Sequence, residues 1–145
     1  MTPAQKRTFF VDACYIRDQA TAYRNYVKEG HKASLNGHRF EQTIHNALLE
    51  SSLAFLRKAN EFFGKKSKAS VRAFFPDYPL QWLLDEADSE LLNNRVMHVS
   101  LCEALHGKHG WEDFYYKHLS EVERRFDLFI DRVHRELPEL ANEPA

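Results

Sequence analysis

Hydrophobic side chains recur every three or four residues along most of this 145-residue chain, which is the period of helices that bury one face. The clearest example runs from about Trp111 to Leu137. One face of it carries large and mostly apolar side chains, namely Trp111, Tyr115, His118, Val122, Phe126, Phe129 and Val133. Acidic and basic residues cover the opposite face. This segment is predicted to be a long amphipathic helix that Pro138 ends.

Two earlier segments have the same period. Thr2 and Pro3 supply a capping hydroxyl and a proline suited to the first helical position, and the first helix is predicted to continue to Gly30. A second helix is predicted over about residues 39–63. Its apolar arc is wide, which is typical of a central helix that contacts several neighbours.

The region that follows the second helix has a different composition. Residues 64–70 are rich in lysine and are predicted to form a solvated loop, with a phosphate-contacting loop as the alternative. Residues 71–79 combine aromatic rings with prolines, which indicates a segment pinned to the bundle by its rings. A short helix or an irregular segment is therefore predicted near residues 71–86.

The stretch from Asp88 to Leu105 contains no glycine or proline and is predicted to be a fourth long helix. On a helical wheel, its apolar sector holds Leu84, Leu91, Val99, Cys102 and Leu105. Arg95 and His98 point into the same sector. Because an unpaired charge in a core is strongly destabilising, both side chains need partners or a functional purpose.

Four long amphipathic helices joined mostly by short loops predict an all-α, up-and-down helical bundle, since a bundle buries every apolar stripe. The bundle is predicted to be one domain over residues 1–138, followed by a disordered tail over residues 139–145. The sequence has no internal repeat, no strand-like alternation and no glycine-rich phosphate loop.

Composition limits the classes of partner. The chain has 20 lysines and arginines against 21 acidic residues, so contact with a nucleic acid would require a local patch. Cys14 and Cys102 lie among apolar helical neighbours, as expected of reduced thiols in an intracellular protein. The sequence shows neither an apolar run of roughly 18 residues nor a signal peptide. We expect a cytoplasmic protein without membrane contact, and no cofactor is predicted.

Arg95 and His98 are the first candidate for chemistry, because they are three positions apart and share one side of the helix. An arginine can hold a phosphate, and a histidine can move a proton in cleavage of a phosphodiester by the neighbouring 2′-hydroxyl. In the alternative, Arg95 pairs with an acid such as Glu50, and His98 bonds within the core or a subunit interface. Arg57, two turns after Glu50 on the same polar strip, is a further supporting residue.

A second candidate is a set of three histidines, His45, His98 and His118, on the apolar stripes of three different helices. Three imidazoles from facing helices can bind zinc or nickel, as in DinB-type metal bundles. The alternative is three core histidines with separate hydrogen-bond partners. Glu103 and His106 have the spacing of a di-iron motif, but such bundles need that motif twice and it occurs once here.

Two parts of the chain resemble bacterial HEPN-like families. They are residues 47–57, followed by Glu-Phe-Phe at 61–63, and the stretch Leu-Asn-Asn-Arg-Val-Met-His-Val-Ser at 92–100. The resemblance implies a small helical bundle of the toxin–antitoxin or phage-defence type. It also implies a homodimer that brings two motifs to one cleft, with RNA or a nucleotide, an antitoxin or another protein as partner.

Active HEPN ribonucleases use an arginine followed after four to six residues by a histidine, commonly with a polar residue just after the arginine. In this chain His98 matches the histidine and Asn94 the polar residue, but Asn93 stands at the arginine position. Arg95 is only three residues before the histidine. We therefore expect an interaction or RNA- or nucleotide-associated module. A metal-independent endoribonuclease that uses His98 and Arg95 is the alternative.

Overall fold

The computed structural model describes residues 1–29, 38–96 and 108–141. Its helices are α1 (Pro3–Lys28), α2 (His38–Gly64), α3 (Glu86–Leu91), α4 (Lys108–Glu136) and α5 (Pro138–Ala141). A 3₁₀ turn spans Val71–Ala73, and a π-helical segment over Leu92–Val96 continues α3. These ranges contain no strand. The prediction of an all-α helical bundle is confirmed.

The three long helices among these ranges begin and end close to their predicted limits. The capping residue Thr2 accepts a hydrogen bond from the Gln5 amide, and the Gln5 side chain bonds back to the Thr2 amide. This capping box satisfies amide groups that the first turn of α1 leaves without helical partners. The helix predicted from Asp88 to Leu105 agrees less well. It begins at Glu86, changes to a π-helix at Leu92, and its part over residues 97–105 lies outside the described residues.

The core is built on the stripe of α4 that the sequence predicts. All seven side chains of this stripe are at most 8% exposed. Phenylalanines from the other elements pack on it: the Phe62 ring stacks on Phe126 at 5.9 Å between centroids, and the Phe74 ring meets Phe129 edge-on at 5.2 Å. Phe74 follows the 3₁₀ turn. The prediction that aromatic rings hold residues 71–79 against the bundle is confirmed.

Two hydroxyl groups join α1 to the rest of the bundle. The Ser52 hydroxyl donates to the Gln19 carbonyl at 3.0 Å and accepts from the Tyr23 amide at 3.0 Å. The Tyr115 hydroxyl donates to the Ala20 carbonyl at 2.7 Å and accepts from the Arg24 amide. In a regular α-helix these amides and carbonyls pair with each other. The inserted hydroxyls therefore fix the position of α1 against α2 and α4.

The prediction that Leu91 belongs to the buried apolar face is wrong. Leu91 is 41% exposed, whereas Leu92 is 1% exposed. The side chains of Asp88 and Ser89 bond to neighbouring helices, and residues three and four positions apart share a helical face. These polar bonds turn Leu92 toward the core in place of Leu91.

The predicted tail begins too early. Residues 138–141 form α5, Leu140 is buried, and Arg7 donates a hydrogen bond to the Glu139 carbonyl at 3.1 Å. Pro138 suits the first position of a helix, where its missing amide proton has no helical acceptor. Residues 139–141 therefore belong to the folded domain, and residues 142–145 lie outside the described residues.

Two other predictions concern the surface. Residues 65–69 are exposed, as expected of a solvated loop, and phosphate contact by this loop stays a prediction. Within the described ranges, none of the helices combines the length and apolar character needed to cross a membrane.

Replacing Leu140 with alanine tests whether α5 is part of the core. We expect Leu140→Ala to lower the free energy of unfolding by about 2 kcal/mol or more, because it removes buried methyl groups. The neighbouring substitution Glu139→Ala is the control, with an expected change within about 0.5 kcal/mol, since its side chain is exposed. Urea denaturation followed by circular dichroism measures both. Equal stability of Leu140→Ala and the wild type would contradict docking of α5.

Candidate functional site

A cleft between α2 and α3 brings several polar side chains together with one large aromatic ring. Its volume is about 390 Å³. The residues that line it are Arg57, Asn60, Glu61, Trp82, Leu84, Glu86, Ser89 and Asn93. Two of them, Arg57 and Asn93, are residues that the sequence assigns to the candidate site. This α2–α3 cleft is therefore the candidate functional site.

Asn60 fixes the walls of the cleft. Its side chain is 4% exposed and extends from α2. The side-chain oxygen accepts hydrogen bonds from the Leu83 amide at 2.8 Å and the Leu84 amide at 3.0 Å. The side-chain nitrogen donates to the Ser89 hydroxyl of α3 at 3.0 Å. One buried amide group thus connects three parts of the chain, and a buried amide without these partners would be costly.

Trp82 stands on a segment that is held from both sides. The Gln81 amide donates to the Phe63 carbonyl at 3.0 Å, and Arg125 of α4 donates to the Gln81 carbonyl at 3.1 Å. The indole lies against Gly64, where an added methyl group would come within 2.3 Å of a ring carbon. Even so, Trp82 is 49% exposed. These bonds hold its backbone, while about half of the residue remains open to solvent.

The charged residues of the cleft are unequal in number. Arg57 faces Glu61 at 3.6 Å, which is an ion pair but longer than a hydrogen bond. Nε of Arg57 is buried, with no hydrogen-bond partner among the described residues. Glu86 adds a second carboxylate to the lining. The carboxylates therefore outnumber the guanidinium groups in this lining.

Glu50 lies apart from this cleft lining. It is half-buried, and burial raises the pKa of its carboxyl group. Seven residues separate it from Arg57, about 10 Å along a helix, and Arg57 pairs with Glu61 instead. Burial raises the pKa of a carboxyl group by disfavouring its charged form. The pairing of Glu50 with Arg95 stays a prediction, because the Arg95 side chain lies outside the described residues.

The motif of the HEPN resemblance begins at the edge of the cleft. Asn93 is half-buried and lines the cleft, Asn94 is exposed, and the backbone of Arg95 belongs to the π-helical segment. The Arg95 side chain and all of His98 lie outside the described residues. π-Helical segments are rare and frequently occur at functional sites. The unusual backbone and the motif coincide here.

His118 bonds to α3. Its Nε2 lies 2.8 Å from a carboxylate oxygen of Asp88, and Lys117 reaches the same oxygen at 3.0 Å. Burial lowers the pKa of His118, although Asp88 opposes this effect. Burial acts to raise the pKa of Asp88, but the hydrogen bonds from Lys117 and His118 outweigh it and lower that pKa. A carboxylate only accepts, so Nε2 of His118 carries its proton and donates.

His45 belongs to a different cluster, at the junction of α1, α2 and α4. Its Nε2 lies 2.7 Å from the Tyr23 hydroxyl and 3.0 Å from a carboxylate oxygen of Glu112, and Tyr23 donates to that oxygen at 2.9 Å. Burial, followed by the effect of Glu112, raises the pKa of Tyr23. Burial also raises the pKa of the neighbouring Tyr115 to about 12. Both phenols stay protonated at neutral pH. The three side chains of the cluster, Tyr23, His45 and Glu112, bond one another across helices.

The metal alternative needs His45, His98 and His118 at one place. Glu112, the partner of His45, and His118 are six residues apart on α4, about 9 Å along its axis. Residues 1–29, 38–96 and 108–141 contain no group of three side chains able to hold a metal ion. His45 and His118 instead have separate hydrogen-bond partners, and His98 lies outside the described residues.

Sequence reasoning missed Asn60, Trp82 and Asp88, which shape the cleft or orient α3. Asn60 lies inside the apolar arc of α2 between Ala59 and Phe62. A polar amide within such an arc needs buried partners, so this position was a usable signal. Trp82 and Asp88 gave none, because their roles depend on partners distant in sequence.

Comparison of the chain with protein-family models, curated proteins and solved structures gives no significant match.

The pH dependence of stability tests the bond between His118 and Asp88. Because the folded state lowers the pKa of His118 below its ordinary 6.5, the unfolded chain takes up a proton at higher pH than the folded one. The contribution of His118 to stability is therefore fully present above its ordinary pKa of 6.5. It is lost as the pH falls through the folded-state pKa. We expect His118→Gln to be less stable than the wild type at pH 7.5, with the difference shrinking at pH 5.5.

Urea denaturation at the two pH values measures this difference, and His134→Gln, at an exposed histidine of the same helix, is the control. Asp88 also contributes stability that is lost on acidification, but only near or below its ordinary pKa of 3.8. The interval from pH 7.5 to 5.5 therefore reports on His118. A difference that is constant or grows on acidification would contradict a buried neutral His118.

Proposed function

We propose that this protein is a HEPN-like helical domain that acts as a dimeric interaction module associated with RNA or nucleotides in a bacterial defence or toxin–antitoxin system. The observation that carries the proposal is the position of Asn93, which belongs to both the HEPN-like motif and the α2–α3 cleft. The motif therefore begins beside a polar pocket rather than on an unrelated surface.

The backbone supports the same assignment. The π-helical segment Leu92–Val96 carries Asn93, Asn94 and the backbone of Arg95. A π-helix changes the directions of successive side chains relative to an α-helix, and such segments recur at functional sites because they re-aim particular residues. Three of the site residues named from the sequence, Asn93, Asn94 and Arg95, thus lie in a locally unusual backbone conformation.

The composition of the motif and of the cleft lining favours an interaction module over a ribonuclease. The cleft lining has the carboxylates of Glu61 and Glu86 against the guanidinium of Arg57. Phosphates are attracted by an excess of positive charge, so this lining is better suited to contact a base or a protein side chain than a phosphate group. The motif itself has Asn93 where active HEPN ribonucleases have arginine. Both features support an interaction module.

Three measurements on the purified protein test the proposal. We expect light scattering to give a dimer, a labelled single-stranded RNA to bind without being cut, and Asn93→Ala and His98→Ala to weaken that binding about tenfold. Loss of one hydrogen bond to a ligand has that effect, since about 1.4 kcal/mol corresponds to a factor of ten. His134→Ala, at an exposed position on α4, is the control that should bind like the wild type.

The alternatives give different results. RNA cleavage by the wild type that His98→Ala abolishes would replace the proposed module with the metal-independent endoribonuclease. A monomer that binds neither RNA nor nucleotides would overturn the proposal. Stoichiometric zinc, nickel or iron in the purified protein would favour the metal-binding bundle instead.

A further inference from the structure

We propose that the α2–α3 cleft recognises a guanine base, which stacks on Trp82 and bonds through its Watson–Crick edge to Glu61 and Arg57. This inference rests on the proposed function, because it names the chemical class that the module binds. The base could belong to a free nucleotide or to an RNA strand, and both present the same chemistry to the cleft.

Trp82 supplies the stacking surface. The residue is 49% exposed, although a large aromatic residue of a folded domain usually buries more of its surface. The ring is pre-positioned, because the bonds of Gln81, Leu83 and Leu84 hold the backbone on both sides of it and its contact with Gly64 limits rotation. A fixed and accessible indole is suited to base stacking, which every nucleobase can supply.

The size of the cleft fits a small planar ligand. Its volume of about 390 Å³ is near the lower end of the range of about 300–1,000 Å³ for small-molecule sites. Polar side chains from α2, α3 and the π-helical segment line the same cleft as Trp82, namely Arg57, Glu61, Glu86, Ser89 and Asn93. Room for one base beside several convergent polar groups is typical of a specific site rather than of a general apolar groove.

The charged groups select among the bases. Glu61 is an acceptor when ionised, and the guanidinium of Arg57 offers only donors. They lie side by side at 3.6 Å. Guanine presents the complementary pattern on one edge, a carbonyl oxygen beside two N–H donors. A carboxylate can accept both N–H groups, as it does from other paired donors, while the guanidinium donates to the oxygen.

The ion pair has capacity for such a ligand. The distance between Arg57 and Glu61 is longer than a hydrogen bond, and Nε of Arg57 has no hydrogen-bond partner among the described residues. Buried Nε itself is out of a ligand's reach, but the Arg57 and Glu61 side chains are 36% and 41% exposed, so the outer guanidinium N–H groups and the carboxylate are open to a ligand. Uracil offers one N–H between two carbonyls and would meet the same carboxylate with fewer donors.

Titration calorimetry with GMP, AMP and UMP tests the inference on the full chain. We expect GMP to bind at least tenfold more tightly than UMP, and Glu61→Gln to remove most of this preference. Trp82→Ala should weaken GMP binding about tenfold or more, and Trp82→Phe, which keeps a stacking ring, should restore most of it. Because Trp82 is half exposed, the variants should fold, and circular dichroism verifies this.

Two glycine variants form a matched pair that leaves every ligand-binding side chain intact. Gly64→Ala should weaken GMP binding, since its methyl group would overlap the indole and displace it. Gly110→Ala should bind like the wild type, because an added methyl group at that helical position meets nothing within 4 Å. Equal binding by both variants would contradict Trp82 as the stacking surface.

RNA pentamers with one central guanosine or uridine distinguish the two sources of the base. Binding of GMP and the guanosine pentamer alike, with the expected variant effects, supports the inference for both; binding of the pentamer alone assigns the base to RNA. Absence of both kinds of binding, or equal affinity for guanine and uracil, would overturn it. If the protein forms dimers and binds RNA independently of Trp82, this inference is wrong but the proposed function stands.

Discussion

The buried side chain of Asn60 is the interaction on which the α2–α3 cleft depends. α3 has only six residues, Glu86–Leu91, and none of them is buried. The π-helical segment that continues it adds one buried side chain among the described residues, Leu92, so apolar burial contributes little to hold α3 in place. Polar bonds do so instead: Asn60 to Ser89, and Asp88 to His118 and Lys117. The position of the cleft is therefore set by hydrogen bonding, on a scaffold set by aromatic packing.

The contrast between a scaffold held by aromatic packing and a cleft held by hydrogen bonds explains which parts of the fold could be predicted. Long helices with continuous stripes were predicted well, because burial of a stripe fixes both the helix and the face that it buries. The α4 stripe from Trp111 to Val133 is buried throughout. The same reasoning failed for Leu91, which is exposed. It assumed a regular helix oriented by apolar burial, whereas α3 is oriented by polar bonds and becomes π-helical at Leu92.

The candidate site could be predicted only in part, for a related reason. Arg57 and Asn93 were selected from the sequence, and both line the cleft. Trp82 was not, since an aromatic residue in a proline-rich segment is equally consistent with a core role. Its exposure follows from anchoring of its neighbours Leu83 and Leu84 to Asn60. The partners of His45 and His118 likewise lie on other helices, so the sequence could state only that they needed partners.

Hydrogen exchange of individual amides tests directly whether Asn60 holds the cleft together. We expect the Leu83 and Leu84 amides to exchange slowly in the wild type, because both donate to the buried Asn60 side chain. In Asn60→Ala these two amides should lose protection, while Tyr78, whose amide bonds to the Phe75 carbonyl, should keep its protection. Rapid exchange of Leu83 and Leu84 in the wild type, or protection that Asn60→Ala leaves unchanged, would contradict this role of Asn60.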